Sequence, residues 1–347
     1  MAALLLTCWL LAAGFLYREA LPHQPYQFPR DHFEHADYKT EWWYYTGNLR
    51  DAAGKRYGFE LVFFRQGARG QEAQANQSLW RIEDLYLAHA AVTAIDANTF
   101  HYAERLNRAG PGLAGASFAE RRIWNGNWQA KWDGERQQIT ALADDFRFEL
   151  KLEPAKPFVI HGLNGVSQKA EGAGKASHYV SFPRMRVSGV LDGKSVQGEA
   201  WMDHEWFTQQ LDKAQTGWDW FSAQFDDNTE LMLFDLRRKD GTIDPYSSGT
   251  FIDQAGKAHH LTAGEFTMRA TGYWQSLKSK AKYPTEWRIE IPSLHITVNC
   301  RAARPDQELV GQKNASTYWE GAVVYSGSHT GRGYLEMTGY DKPVSFQ

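Results

Sequence analysis

The length and charge of the chain limit what it can be. Its 347 residues, 43% of them hydrophobic, are enough for two ordinary cores or one large core, so tandem domains are the default expectation. A formal net charge of -3, with no block of lysine and arginine, argues against a nucleic-acid partner, because binding to phosphates needs clustered cations.

The N-terminal segment has the pattern of an export signal. Residues 2–17 carry no charge and are rich in leucine, and Arg18 and Glu19 follow them. We interpret residues 1–25 as a signal peptide, with a retained membrane anchor as the alternative, although the run is short for a span. The mature chain is then expected to be periplasmic or secreted, with no stable membrane span. Cys8 lies in the predicted signal peptide, so the mature chain is expected to contain Cys300 without a cysteine partner for a disulfide.

Alternating polar and apolar residues predict strands over almost the whole chain. The alternation is clear in residues 57–63 and 146–152, and it returns in residues 230–236, 287–291, 294–298, 318–325 and 333–338. Turn sequences separate these runs, as at 133–134, 192–194, 240–241 and 331–333. Many short strands at this spacing predict an all-β protein built from closed antiparallel barrels, which remove sheet edges and can enclose one ligand. The aromatic content of 14% favours strands and a site for apolar ligands.

A polar stretch divides the predicted strands into two groups. Residues 208–216 contain no strand pattern, and about nine strand candidates lie on each side. We therefore expect an N-terminal barrel over residues 26–207 and a C-terminal barrel over residues 208–347. A cleft between two such rigid bodies is a common place for a site.

The densest group of reactive residue types lies just before that boundary. Residues 198–206 contain two tryptophans, Trp201 and Trp206, and the acid and base residues Asp203, His204 and Glu205. Carboxyl and imidazole groups among indoles lose water, which shifts pKa values in the way that acid–base catalysis needs. Successive side chains of a strand point to opposite faces. His204 and Trp206 therefore share one face, and Trp201, Asp203 and Glu205 are assigned to the other. We expect His204 and Trp206 to face the cleft. Glu205 is a candidate acid if the strand ends near His204. The alternative is an exposed strand end at which the charged groups of this segment are solvated.

A hairpin in residues 217–238 adds a further carboxyl group. With a two-residue loop at Asp227 and Asn228, the antiparallel register places Asp235 opposite Trp220. Asp235 is then either a desolvated acid beside an indole or a strand-end residue that binds a loop amide.

Two other site types find little support. His32 with His35, and His259 with His260, lack a third residue at zinc-type spacing, and three consecutive strand residues cannot share one ion, so no metal is expected. No Gly-x-Ser-x-Gly element follows a strand, so serine hydrolase chemistry is not supported. No cofactor is expected.

Several motifs together resemble one bacterial family with tandem lipocalin-like domains, which includes carotenoid 1,2-hydratases, AttH proteins and exported predicted hydrolases, and more distantly fungal Diels–Alderases. The motifs are DHFEH at 31–35, YKTEWWYYTGNL at 38–49, AHAAV at 88–92, WMDHEW at 201–206, YWEGAV at 318–323 and GYLEMTGY at 333–340. Their order and length fit the exported, AttH-like branch. The resemblance implies two lipocalin-like barrels with a ligand cleft between them, and it implies that Asp235 matches an acid of the hydratase branch.

The expected ligand is an apolar, isoprenoid or polyene-like small molecule. Hydration of an alkene needs a water-poor acid, an aromatic surface for a cation and a positioned water. Asp235, His204, Glu205 and Asp203 are the candidate catalytic residues, and a carrier without catalysis is the alternative function. The residues expected near the ligand are Trp206, Trp220, Trp201, Glu41, His89, Tyr179, Trp319 and Glu320; Tyr179, Trp319 and Glu320 are assigned mainly through the resemblance.

Overall fold

The computed structural model describes residues 17–68, 82–311 and 317–344, and these residues are almost entirely β structure. The predicted signal segment, residues 1–25, lies largely outside the described residues. Within the described part of the chain, the only helical segments are two short 3₁₀ helices, Arg30–His32 and Pro292–Leu294. No helix in those ranges has the length and apolar character needed to cross a membrane.

The first sheet contains thirteen antiparallel strands among the described residues. They are β1 (Thr40–Asp51), β2 (Arg56–Gly67), β3 (Asp84–Ala94), β4 (Thr99–Arg108), β5 (Ala114–Ser117), β6 (Arg122–Asn125), β7 (Trp128–Asp133), β8 (Arg136–Leu142), β9 (Arg147–Pro154), β10 (Val159–Ile160), β11 (Ser167–Gln168), β12 (Ala176–Leu191) and β13 (Lys194–Phe207). The order across the sheet is β4-β3-β2-β1-β13-β12-β9-β8-β7-β6-β5, and β10 and β11 also pair with β12. The sheet therefore pairs its first strand with its last, as a curled meander does.

The second sheet has ten antiparallel strands in the ranges that the structure describes. They are β14 (Gln215–Phe225), β15 (Glu230–Arg238), β16 (Ser248–Ile252), β17 (Ala258–Thr262), β18 (Thr267–Gln275), β19 (Lys282–Ile291), β20 (Ile296–Ala302), β21 (Glu308–Leu309), β22 (Tyr318–Gly327) and β23 (Gly331–Met337). The order is β17-β16-β15-β14-β23-β22-β20-β19-β18, with β21 paired to β22. The predicted all-β fold of two antiparallel sheets, each curled into a barrel or half-barrel, is confirmed.

Alternation along the strands separates two barrel cores from a third apolar layer between the sheets. In β1, Trp43 and Tyr45 belong to the core of the first barrel, whereas Tyr44 faces the second sheet. In β14, Phe221 belongs to the core of the second barrel, whereas Trp220 faces the first sheet. Strands in this region are apolar on both faces because both faces are covered.

The two sheets are in close contact at Gly58 on β2. A Cβ atom at this position would lie 2.8 Å from the Tyr334 hydroxyl and 2.9 Å from the Ala322 Cβ, so only glycine fits without a shift. Nearby, the Asn48 side-chain amide donates a hydrogen bond to the Gly333 carbonyl at 3.2 Å. This close contact at one end of the interface leaves space between the sheets farther along the strands.

The register of the β14–β15 hairpin differs by one residue from the predicted register. Asp235 pairs with Asp219, not with Trp220, so the predicted pairing is wrong. The loop has three residues, 226–228, and Asn228 adopts a left-handed φ of 67°, which is the ordinary geometry of a three-residue hairpin. One extra loop residue moves every following side chain to the opposite face. Asp235 therefore points toward the interior of the second barrel, and Trp220 points toward the first sheet.

Candidate functional site

A cavity of about 700 Å³ lies between the two sheets. Strands β1–β4 and β13 line it from one side, and β14, β15, β22 and β23 line it from the other. Large apolar side chains form much of its wall, among them Trp42, Phe64, Leu87, Trp218, Trp220 and Phe234. A space of this size and character suits one apolar small molecule.

Five carboxyl groups with a raised pKa face this largely apolar space: Glu60, Asp203, Glu205 and Glu320, which are buried, and Glu336, which is partly buried. Burial is the main cause of a raised pKa in each of them, because the charged form loses its water. The pKa reaches about 8 for Glu60, and about 7 for Asp203 and Glu336. Mutual repulsion adds to the effect, since Glu336 raises the pKa of Glu60 and both raise the pKa of Glu320. Neutral carboxyl groups thus remain available near neutral pH.

Glu60 is the inner end of a chain of hydrogen-bonding groups. The Tyr318 hydroxyl donates to Glu60 Oε1 at 3.0 Å, and His89 Nδ1 lies 2.6 Å from the same hydroxyl. On the other side of the imidazole, His89 Nε2 lies 3.3 Å from Glu104 Oε2. The Glu104 side chain is 16% exposed, whereas Glu60 is fully buried. The hydrogen bonds therefore run from Glu60 through Tyr318 to His89, and His89 lies within ion-pair distance of the partly exposed Glu104. Neither His89 Nε2 nor Glu60 Oε2 has a hydrogen-bond partner among the described residues.

Two further carboxyl groups enter the cavity from the second sheet. The Tyr44 hydroxyl donates to Glu320 Oε1 at 2.5 Å, and Glu320 Oε2 has no partner within the described ranges. The indole N–H of Trp218 donates to Glu336 Oε2 at 3.1 Å. Because each of these hydrogen bonds occupies one oxygen, the remaining oxygen of each carboxyl group can interact with a ligand.

Asp203 is held by three donors behind the cavity wall. The Tyr179 hydroxyl donates to Asp203 Oδ2 at 2.6 Å, while the indole of Trp201 and the Ser181 hydroxyl donate to Oδ1. The Trp220 indole in turn donates to the Tyr179 oxygen at 2.9 Å, which links the two sheets. These donors favour the carboxylate, and they partly offset the burial that raises the pKa of Asp203.

A second polar cluster lies at the end of the first barrel, and of its members Arg65 also lines the cavity. Glu41 Oε1 lies 2.8 Å from His35 Nδ1 and 2.9 Å from His204 Nε2. Arg65 donates to Glu41 Oε2 at 3.0 Å and to Asp84 Oδ1 at 2.9 Å. Burial alone would raise the pKa of Glu41, but the two histidines and Arg65 outweigh burial and hold this pKa well below its ordinary value. The cluster is thus a buried, charge-paired contact.

The atoms of His35, Glu41 and His204 lie within 4.8 Å of one another, a combination that sequence analysis did not consider as a metal site. Two observations favour a hydrogen-bonded cluster over a metal centre. Both Glu41 oxygens already accept hydrogen bonds from side-chain donors. His204 Nδ1 is buried and has no partner among the described residues, whereas a metal-ligating histidine normally donates its second N–H to an acceptor.

The structure divides the predicted site residues into three groups. Asp203, Glu205, Trp220, His89 and Glu320 line the cavity. Trp201 and Tyr179 lie behind it and bind Asp203.

The remaining predicted residues lie elsewhere. His204 and Trp206 face the first barrel, where Trp206 stacks on His35 with ring centroids 3.9 Å apart, so the prediction that they face the cleft is wrong. Glu41 binds His204 in the same cluster. Asp235 and Trp319 belong to the interior of the second barrel. The pKa of Asp235 is nevertheless raised to about 7, mainly by burial and to a smaller extent by the charge of Asp219.

Sequence analysis missed several residues of the cavity: Trp42, Tyr44, Glu60, Lys169, Trp218, Tyr318 and Glu336. Glu60 had been read as the solvent-facing partner of Phe59 and Leu61. A signal existed, because Val62 and Phe64 share the face of Glu60 and are apolar. A strand that is apolar on both faces is covered on both faces, and an acid within it is buried.

Comparisons with known proteins agree with this architecture. A family model described as AttH-like matches residues 19–340. A crystal structure of an AttH protein from Nitrosomonas europaea is similar with a TM-score of 0.84 and 32% identity, over 93% of this chain and 99% of that chain. The crystal structure of kievitone hydratase from Nectria haematococca is similar with a TM-score of 0.68 and 16% identity, over 88% of this chain and 90% of that chain. The crystal structure of CghA with Sch210972 is similar with a TM-score of 0.52 and 14% identity, over 89% of each chain. No curated protein sequence matches the chain.

Proposed function

Because the chain belongs to the AttH-like family, we propose that it adds a proton, and with it water, to a double bond of an apolar small molecule in the cavity between its sheets. The observation that carries this proposal is the set of buried carboxyl groups with raised pKa beside aromatic walls. A simple binding cavity has no use for such groups, whereas an acid catalyst needs them. Kievitone hydratase shares the fold, but the chemistry of this cavity is the support for the reaction.

Glu60 is the proton donor in this proposal. Its pKa of about 8 keeps it protonated at neutral pH, and its Oε2 has no partner among the described residues. Protonation of an alkene leaves a carbocation, which the faces of Trp42, Trp218 and Trp220 stabilise through cation–π attraction. Water then attacks the cation, and Asp203, which titrates near neutral pH, takes the released proton.

The groups behind Glu60, which are Tyr318, His89 and Glu104, restore its proton. Tyr318 passes its hydroxyl proton to Glu60 Oε1 and receives another from His89 Nδ1. His89 then takes a proton at Nε2 from the side of Glu104, which is partly exposed to water. Each group gives one proton and receives one, which leaves Glu60 protonated at Oε1 and His89 protonated at Nε2. Rotation of the Glu60 carboxyl group and exchange of the His89 tautomer then return the chain to its starting state.

A carrier without catalysis is the second candidate function. The apolar wall with its three tryptophans favours it, because aromatic side chains bind apolar ligands well without chemistry. Organic extraction of the purified protein, followed by mass spectrometry, identifies the bound molecule. Incubation of that molecule with the protein in heavy water then separates the functions: a hydratase gives a product heavier by one water with deuterium on carbon, and a carrier returns the molecule unchanged.

The pH dependence of turnover provides a further prediction. Since Glu60 must be protonated to donate and Asp203 must be ionised to take the released proton, turnover should fall as pH rises through about 8, where Glu60 ionises, and should also fall below about pH 7, where Asp203 becomes protonated. The measurement is kcat between pH 6 and pH 10, with folding checked by circular dichroism at each pH. A constant kcat across this range would contradict an acid role for the carboxyl cluster.

Export is proposed as well, from the uncharged N-terminal run alone. Cell fractionation should find the mature chain outside the cytoplasm, with an amino terminus between about residue 14 and residue 25, the usual cleavage range. An intact amino terminus in the soluble cytoplasmic fraction would contradict it.

A further inference from the structure

The ammonium group of Lys169 is a buried cation with unused hydrogen-bond donors. Its side chain is only 5% exposed and lines the cavity. The nearest carboxylate oxygen, Glu205 Oε2, lies 3.8 Å from Nζ, which is beyond hydrogen-bond length. Aromatic rings occupy other sides, with the Phe234 centroid at 3.8 Å and the Tyr179 centroid at 5.2 Å. Within the described residues, no oxygen accepts a hydrogen bond from this Nζ.

Glu205 is an ion-pair partner of Lys169, but at 3.8 Å it leaves hydrogen-bond donors of the ammonium group unused. The oxygen of Glu205 nearest to Lys169 already accepts hydrogen bonds from the Ser177 hydroxyl and from the Gln210 amide at 3.2 Å. A buried ammonium group has three N–H donors, and leaving them without acceptors is costly. The arrangement is therefore incomplete unless a ligand supplies an acceptor.

The other cation that lines the cavity is already fully engaged. Arg65 donates to Glu41 and Asp84 and to the carbonyl oxygens of His35 and Tyr38. Among the described lining residues, Lys169 is thus the basic side chain that has donors to spare.

We propose that Lys169 donates a hydrogen bond to a carbonyl oxygen of the ligand, so that the ligand is an apolar carbonyl compound and not a pure hydrocarbon. This inference rests on the proposed function, because it assumes that the cavity holds the substrate. A neutral carbonyl fits better than a carboxylate or phosphate, since much of the cavity wall is apolar and burying an anion there is costly. The rings of Phe234 and Tyr179 lie against the ammonium group itself and fix its position through cation–π attraction.

Two probes that differ only in the carbonyl group test the inference. They are β-ionone, an isoprenoid ketone, and the hydrocarbon with the same carbon skeleton, and calorimetry measures their binding. The unmodified protein should bind the ketone about tenfold more tightly or better, the range of a hydrogen bond to a charged group. Lys169→Met keeps the apolar stem and should bind both probes alike, with hydrocarbon affinity within about twofold of the unmodified protein. Lys175→Met, which removes a partly exposed ion pair with Asp212, is the matched control and should keep the preference.

Several outcomes would overturn the inference. One is no ketone preference in the unmodified protein, and another is a ketone preference that persists in Lys169→Met. Where Lys169→Met loses hydrocarbon binding too, Lys169→Arg decides, because it keeps a cation and must keep the preference. A covalent adduct after borohydride treatment of the ketone complex would also overturn it, since an imine would then replace the hydrogen bond. These results do not depend on turnover: loss of the proposed reaction leaves the ketone preference intact, whereas failure of both probes to bind contradicts the ligand cavity itself.

Discussion

Glu60→Gln should lower kcat by about a hundredfold or more, the usual contribution of a general acid, while changing ligand affinity by less than about threefold. Glutamine keeps the size of the side chain and an oxygen that accepts from the Tyr318 hydroxyl, but it has no proton to transfer. Ligand affinity depends on the apolar wall, which the substitution leaves in place. Steady-state kinetics with the extracted ligand, together with calorimetric binding, separates the two quantities.

Two variants control this result. Glu149→Gln makes the same change on the exposed side of β9 and should leave kcat unchanged. Glu336→Gln removes a charge that raises the pKa of Glu60, so the alkaline fall of kcat should move to lower pH. Unchanged kcat in Glu60→Gln would exclude Glu60 as the donor, and an unmoved pH profile in Glu336→Gln would exclude the proposed repulsion between the two carboxyl groups.

The sequence was sufficient for the fold because the fold depends on a pattern repeated many times. Period-two alternation, turn residues and the family motifs each indicated antiparallel barrels, and the AttH-like match and the structure confirm the fold class. An error in one strand does not change such a prediction.

The site was harder to predict because it depends on which face of a strand points outward. Period two correctly separated His204 from Asp203 and Glu205 on β13, but it does not say which set faces the barrel interior. The register of β1 with β13 decides this, because it pairs His204 with Trp43, whose side chain belongs to the first barrel core. Met202 shares the face of His204, and this apolar neighbour was the available signal.

Other site residues depend on facts that local sequence does not contain. The position of Asp235 depends on one loop residue in the β14–β15 hairpin, and alternation alone cannot count loop residues. Glu60 and Glu336 acquire their raised pKa only when the two sheets pack together, because each barrel alone would leave these carboxyl groups in water. Lys169 reaches the cavity from the segment after β11, where no pattern marks it.

Arg65→Met should lower the free energy of unfolding by about 3–5 kcal/mol, the range for removing one partner of a buried ion pair. Arg65 is 1% exposed and donates to both Glu41 and Asp84. Methionine fills similar space but removes the guanidinium group that pairs with the two buried carboxylates. The carbonyl oxygens of His35 and Tyr38, in the segment before β1, also lose the hydrogen bond from Arg65. Denaturant unfolding at pH 7, followed by tryptophan fluorescence, measures the change.

The matched control lies at the other end of the same strand. Arg56→Met breaks an ion pair with Asp96 whose arginine is 44% exposed, and such surface pairs contribute about 1 kcal/mol or less. The pH dependence adds a second check. The folded-state pKa of Glu41 is depressed, so its stabilisation is present above the unfolded-state pKa of about 4.3 and is lost as pH falls further. The stability difference between Arg65→Met and the unmodified protein should therefore shrink below about pH 4. Equal effects of Arg65→Met and Arg56→Met, or a difference independent of pH, would show that Arg65 does not neutralise the buried Glu41.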